Sequence, residues 1–222
     1  MPIRFVILDL DGTLVDSAPD LRAIAERVLA EAGRPALDLP TVKRFIGDGV
    51  RKLVERAFAA TGPALDPAAL DHATARFTEL YEAAASVLTR PYDGVPETLA
   101  RLRAGGIRLA VCTNKPMAAA AIVLRELGLA PLINAVSGGD SVARRKPDPE
   151  HVRDALQRIG GLPEQAVMVG DNEHDIAAGK AAGLVTIAVT YGYARVPYSV
   201  LGADRLIDRF SDLDRALRSL AR

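Results

Sequence analysis

The sequence predicts an α/β protein: a doubly wound parallel-sheet core, interrupted after its first strand by an all-helical insertion. Three observations carry this. The run Arg4-Phe5-Val6-Ile7-Leu8 is bulky and apolar and stops at acids and Gly12, as a buried parallel strand does when its C-terminal end carries polar groups. Residues 16–87 then show only helical periodicity. From Tyr92 onward short apolar runs alternate with helical ones, the pattern of parallel strands joined by crossover helices.

Each element has its own local signal. Ser17-Ala18-Pro19-Asp20 has the form of a capping box, with a hydroxyl first, a proline in the first turn and an acid three residues on. Leu21, Ile24, Ala25, Val28 and Leu29 then share one helical face, and Gly33-Arg34-Pro35 ends the helix. Ile46-Gly47-Asp48-Gly49 reads as a loop, followed by a second helix carrying Val50, Leu53, Val54, Ala57 and Phe58. A third starts at Asp66-Pro67, an N-cap followed by proline, and is expected to run to about Ala85. Strands are expected at Ile107–Cys112, Ile133–Val136, Ala166–Val169 and Val185–Val189. Gly128, Gly160 and Gly183 follow helical segments and suit left-handed C-caps.

Composition narrows the class of function. The 222 residues are 49% hydrophobic and 25% charged, enough for one large domain or a domain with a smaller one. Lys+Arg and Asp+Glu are both 28. That balance argues against a nucleic-acid or membrane partner, which would call for a basic excess. Cys112 is the single cysteine, so no internal disulfide forms, which fits a reducing compartment. No apolar run reaches the roughly 20 residues that span a bilayer. The apolar start contains Arg4 and stops at Asp9, unlike a signal peptide. The expectation is a soluble, cytoplasmic protein; the sequence leaves monomer and homodimer both open.

The polar residues gather where chemistry is expected. In open parallel sheets ligands bind beyond the C-terminal strand ends. Here those ends read Asp9-Leu10-Asp11-Gly12-Thr13, Thr113-Asn114-Lys115 and Gly170-Asp171-Asn172-Glu173-His174-Asp175, with Arg144-Arg145-Lys146-Pro147-Asp148-Pro149 before a helix. Taken singly, Asp9 or Asp171 would cap a helix, Thr113 would be a turn residue and Lys146 a solvated charge. Taken together they put complementary groups on one edge of the sheet. Strand alternation places Asp9 and Asp11 on the same side, a repelling pair that needs a cation or a shared proton. With Asp171 and Asp175 they point to a hard divalent metal, and magnesium prefers such oxygen ligands. There is no His/Cys cluster of the kind zinc takes; His72, His151 and His174 are scattered and read as surface or packing residues.

These segments resemble the motifs of the haloacid dehalogenase-like phosphohydrolases: Asp9-x-Asp11-Gly12-Thr13 as the first, Thr113-Asn114 as the second, Lys146-Pro147 as the third and Gly170-Asp171-x-x-x-Asp175 as the fourth. The resemblance covers essentially the whole chain. It extends to the phosphoglycolate phosphatase branch through Pro91-Tyr92-Asp93-Gly94-Val95, Val111-Cys112-Thr113-Asn114-Lys115-Pro116, Gly138-Gly139-Asp140, Thr190-Tyr191-Gly192-Tyr193, Ile46-Gly47-Asp48-Gly49 and Gly202-Ala203-Asp204. The chain departs from it at Asp48, where asparagine is frequent, and at Asn172, where serine is common.

What the resemblance implies is specific. The fold is a Rossmann-like core, residues 1–15 plus 88–222, with residues 16–87 as a helical cap. The activity is a magnesium-dependent phosphatase for a small phosphorylated metabolite, 2-phosphoglycolate first among candidates. Asp9 is the nucleophile, and Asp11 is the acid and base. Gly12, Thr113, Asn114 and Lys146 bind phosphate. Mg2+ sits on Asp9, Asp171 and the Asp11 backbone carbonyl, with Asp175 in support. Hinges lie near Asp16, Ser17 and Thr89-Arg90, and Gly47, Asp48, Gly49 and Arg51 are expected to set specificity, Arg51 or Lys52 by meeting a substrate carboxylate. A sugar phosphomutase, a phosphatase or pyrophosphatase for another metabolite, and a non-catalytic phosphate-binding module are the competing readings.

Overall fold

The computed structural model describes residues 2–84 and 86–220. In chain order the elements are β1 (Phe5–Leu8), β2 (Val15–Asp16), α1 (Ala18–Glu31), α2 (Leu39–Lys43), α3 (Val50–Thr61), α4 (Pro67–Ala83), β3 (Arg90–Pro91), α5 (Val95–Ala104), β4 (Arg108–Cys112), α6 (Met117–Glu126), β5 (Ala135–Ser137), α7 (Pro149–Arg158), β6 (Ala166–Gly170), α8 (Glu173–Ala181), β7 (Val185–Val189), β8 (Arg205–Ile207) and α9 (Leu213–Leu220). Six strands form one sheet in the order β5-β4-β1-β6-β7-β8, and all its pairings are parallel. The chain runs outward from β1 on both sides, so the crevice at the topological switch opens beside the end of β1.

The apolar run of β1 is continuous because both faces of the sheet are covered. Val6 and Leu8 join a buried cluster with Leu109, Val111, Val167 and Val169, roofed by Leu99, Val123 and Leu213 from α5, α6 and α9. Phe5 and Ile7 point the other way, to Ala110, Cys112 and Met168 and to Val152, Leu156 and Ala178 of α7 and α8. Each fully buried aliphatic side chain contributes about 1.5–3 kcal/mol. The central strand is therefore rigidly held, and so is the rim that follows it.

Helices α1 to α4 pack on one another. Leu21, Ile24, Ala25, Val28 and Leu29 of α1 are buried, as are Leu53, Val54, Ala57 and Phe58 of α3, so the predicted helical faces are the packed ones. A two-residue antiparallel ribbon joins this block to the sheet, with Val15 opposite Pro91 and Asp16 opposite Arg90. Asp66 caps α4 by accepting from the Ala69 amide at 2.9 Å.

Two expectations change, and two short elements were not anticipated. Ser17 and Asp20 form no capping box. Ser17 Oγ donates to Asp11 Oδ1 at 2.5 Å, and buried Asp20 accepts from the Leu88 and Thr89 amides and from Thr89 Oγ1. Tertiary donors on the returning chain outcompete the local helix N–H groups. The third helix ends at Ala83; its expected end, Ala85, lies outside the described residues. The third strand of the sheet in chain order begins at Ala135, because Asn134 Oδ1 accepts from the Leu109 amide at 2.9 Å and its own amide donates to Leu109 O. β8 and α2 were not anticipated: β8 has three residues and only Ile207 is buried, and α2 has five.

Candidate active site

Strands β1, β4 and β6 are neighbours at the centre of the sheet. Their ends deliver Asp9, Thr113 and Asp171 to one rim. A cavity lies there. Its floor is Asp9, Asp11, Thr113, Asn114, Lys115, Lys146, Asn172 and Asp175, and its roof is Leu21, Ile46, Gly47, Gly49, Val50, Leu53 and Tyr81 from the helical block. A polar floor under a largely apolar roof suits a small anion whose reacting end faces the sheet.

The floor is organised around Lys146. Its Nζ donates to Asp9 Oδ1 at 2.7 Å, Asp175 Oδ1 at 2.7 Å and the Cys112 carbonyl at 2.6 Å, with its side chain 2% exposed. These acceptors hold the ammonium charged, its pKa raised although burial opposes it. Burial and the adjacent Asp175 carboxylate push Asp9 up to about 7, against the pull of Lys146. Asp171 is also raised, by burial and then by Asp175 and Asp9.

Carboxylate oxygens of Asp9, Asp171 and Asp175 all lie within 4.8 Å of one another. Three buried acids so close are relieved by a cation, and oxygen donors of this kind fit a hard divalent metal. Asp175 has little left to give: one oxygen takes Lys146 and the other takes the Asp171 and Asn172 amides. Asp9 and Asp171 are the members with ligand capacity. Asp171 is oriented by Asn172 Nδ2 at 3.0 Å on one oxygen and by the Tyr193 amide at 2.5 Å on the other.

Asp11 lines the same cavity floor. Both its oxygens accept from Lys115 Nζ, at 2.7 and 2.8 Å, and Oδ1 also accepts from Ser17. Gly12 has φ +92°, and a Cβ there would sit 2.4 Å from Asp171 Oδ2. Its N–H donates to the Val15 carbonyl. Its own amide is engaged in the turn, and a side chain at this position would collide with Asp171, which requires glycine there. Thr113 Oγ1 accepts from the Lys115 amide at 3.2 Å. Asn114 Nδ2 donates to the Gly47 carbonyl at 2.8 Å and the Lys146 carbonyl at 2.9 Å, tying the helical block to the sheet rim.

The loop Gly47-Asp48-Gly49 does reach the site, but Arg51 does not. Arg51 forks onto Asp71 at 3.1 and 2.9 Å on the exposed surface, and Lys52 pairs with Glu55. Asp48 accepts from Arg56 Nη1 of α3 and from His174 Nε2 and Arg195 Nη1, each at 2.5 Å. Partial burial pushes the Asp48 carboxyl up, yet these three partners together hold it well below the usual carboxylate range. His174 and Arg195 come from the sheet domain, so this is an ion cluster between the two parts. His151 is a fully buried packing residue that accepts from the Lys146 amide, as expected of a scattered histidine. The sequence assigned no site role to Lys115, Tyr81 or Arg195, and His174 was expected only as a surface or packing residue. Lys115 carried a signal, since it directly follows a strand end; Arg195 carried none, lying 147 residues from Asp48.

Residues 3–183 match the model of the haloacid dehalogenase-like hydrolase family. The chain is 45% identical to the phosphoglycolate phosphatase of Rhodospirillum rubrum over 95% of its own length and 89% of the relative's. To the phosphoglycolate phosphatase of Caulobacter vibrioides it is 38% identical, with 97% and 91% covered. Among solved structures it is similar to a predicted phosphoglycolate phosphatase from Haemophilus somnus, with TM-score 0.91, 31% identity and coverage of 96% and 97%.

Proposed function

The chain belongs to the haloacid dehalogenase-like hydrolases and is a phosphoric monoester hydrolase, and we propose that it cleaves 2-phosphoglycolate to glycolate and phosphate with Mg2+ bound at Asp9 and Asp171. The observation that carries the reading is the placement of Asp9 and Asp11 in one cavity, Asp9 against Lys146 and Asp171, Asp11 against Lys115. Substrate choice is supported by the phosphoglycolate phosphatases of Rhodospirillum rubrum and Caulobacter vibrioides, similar over nearly the full chain.

In this reading a carboxylate oxygen of Asp9 attacks phosphorus, and the bond from phosphorus to the ester oxygen breaks. Asp11 gives its proton to the departing alkoxide. Asp11 then takes a proton from water, whose oxygen attacks phosphorus and breaks the bond to Asp9, releasing phosphate. Lys146 neutralises Asp9 against the approaching anion, and the Thr113 hydroxyl holds a phosphoryl oxygen, while the Asn114 side-chain amide is spent on the Gly47 and Lys146 carbonyls. Magnesium supplies positive charge to the transferring group when bound. Asp175 positions Lys146 and the backbone at Asp171.

We read residues 16–87 as a cap that excludes bulk water, hinged at the β2–β3 ribbon and clasped there by Asp20 on Leu88 and Thr89. The test is phosphate release, with magnesium, over 2-phosphoglycolate, sugar phosphates, nucleotides and pyrophosphate. The highest kcat/KM is expected on 2-phosphoglycolate, with loss under EDTA and in Asp9→Asn. A higher kcat/KM on another of these substrates overturns the substrate, and turnover by Asp9→Asn overturns the mechanism.

A further inference from the structure

We propose that Lys115 is the specificity residue that takes the substrate's carboxylate, a role resting on the phosphoglycolate reading above. Among the described residues lining the cavity, the cationic side chains are Lys146 and Lys115. Lys146 is committed to Asp9, Asp175 and a backbone carbonyl on the side where phosphorus is attacked. Lys115 is buried, with its side chain 4% exposed, and its Nζ contacts both oxygens of Asp11.

Asp11 meets the ester oxygen as that oxygen leaves. In 2-phosphoglycolate the carboxylate is one methylene away from the same oxygen. A group that touches Asp11 is therefore beside the carboxylate as well. A second phosphate at the far end of a sugar would lie well beyond it. Tyr81 completes the pocket. Lys115 Nζ lies 4.7 Å from the centroid of its ring, and the buried Tyr81 hydroxyl has no acceptor for its proton, a donor that a bound carboxylate would satisfy.

The Lys115 carbonyl accepts from the Gly139 amide at 2.8 Å, and the Met117 amide donates to Asp140 Oδ1 at 2.8 Å. A Cβ at Gly139 would sit 2.4 Å from the Asn114 carbonyl oxygen, so this glycine permits the close approach that fixes the backbone of Lys115. The long side chain is then the movable part, anchored at its root. A substrate carboxylate that draws Nζ from Asp11 also frees Asp11 oxygens to meet the leaving oxygen.

The experiment compares kcat/KM for 2-phosphoglycolate and 2-hydroxyethyl phosphate, which carries a neutral CH2OH in place of the carboxylate. Lys115→Met slows both esters, because Asp11 loses its partner. It is expected to shrink the wild-type preference for the carboxylate by roughly 10- to 100-fold, the worth of a hydrogen bond to a charged group. An unchanged preference overturns the proposal and shows that Lys115 acts only through Asp11. A wild type with no preference overturns the phosphoglycolate reading itself, so the two failures are separable. A second measurement covers misfolding of Lys115→Met. In the Asp11→Asn background, where no unpaired carboxylate is left beside position 115, binding of 3-phosphonopropionate and of propylphosphonate is measured by calorimetry with magnesium. Asp11→Asn should prefer the carboxylated phosphonate, and Asp11→Asn with Lys115→Met should lose that preference; equal preference in both overturns the assignment.

Discussion

Replacing Lys146 with methionine is the most direct test of how the site is held together. The side chain keeps most of its length but loses the ammonium that bridges Asp9, Asp175 and the Cys112 carbonyl. Removing one partner from a buried ion pair costs about 3–5 kcal/mol, because the charge left behind is uncompensated. In a chain of 222 residues each kcal/mol lowers Tm by about 2–4 °C, so the loss is about 6–20 °C in metal-free protein near neutral pH. The pH dependence has a defined sign. Asp9 is raised from 3.8 to about 7 in the folded protein. Folded protein therefore holds more protons than unfolded protein between about pH 4 and pH 7, and metal-free wild type loses stability as pH rises through that window. In Lys146→Met the carboxylate loses its cation, so the deficit is largest near neutral pH and shrinks toward pH 5, where Asp9 carries its proton. Thermal melts with EDTA at the two pH values read this directly. A Tm loss below about 2 °C, or a deficit that grows on acidification, refutes the assignment of Lys146 as the charge that compensates Asp9.

Asp48→Ala removes the acceptor shared by His174, Arg195 and Arg56. It is expected to weaken closure by about 1–2 kcal/mol, seen as roughly a 5- to 30-fold rise in KM for 2-phosphoglycolate and faster amide exchange across residues 45–50. Unaltered KM and exchange would show that the cluster does not hold the cap. Arg51→Ala removes only an exposed pair with Asp71 and should change kcat/KM less than about twofold; a selective loss on carboxylated substrates would bring Arg51 back into recognition.

Several features were legible in the sequence because their causes are local. The β1 run Phe5–Leu8 is buried on both faces, so its residues are apolar without interruption. The helical faces of α1 and α3 follow from spacing alone. The acids Asp9, Asp11, Asp171 and Asp175 stand out because strand ends are where a parallel sheet opens to ligands. Local signals failed where a distant partner was stronger. Ser17 and Asp20 have the spacing of a capping box, yet Ser17 turns to Asp11 and Asp20 to Leu88 and Thr89.

The sequence by itself determined the layered α/β class, the helical insertion and the chemistry of the rim, since hydrophobic period and motif spacing are properties of the chain. Only the tertiary structure decided what faces the cavity. Arg51 and Lys115 are both basic neighbours of expected site residues, and although Lys115 follows a strand end, the sequence does not say which of the two faces the cavity. The fold turns Arg51 outward to Asp71 and buries Lys115 between Asp11 and Tyr81. The Asp48–Arg195 contact joins residues 147 apart. Such contacts depend on how two packed bodies meet, and that geometry comes from the whole set of buried surfaces.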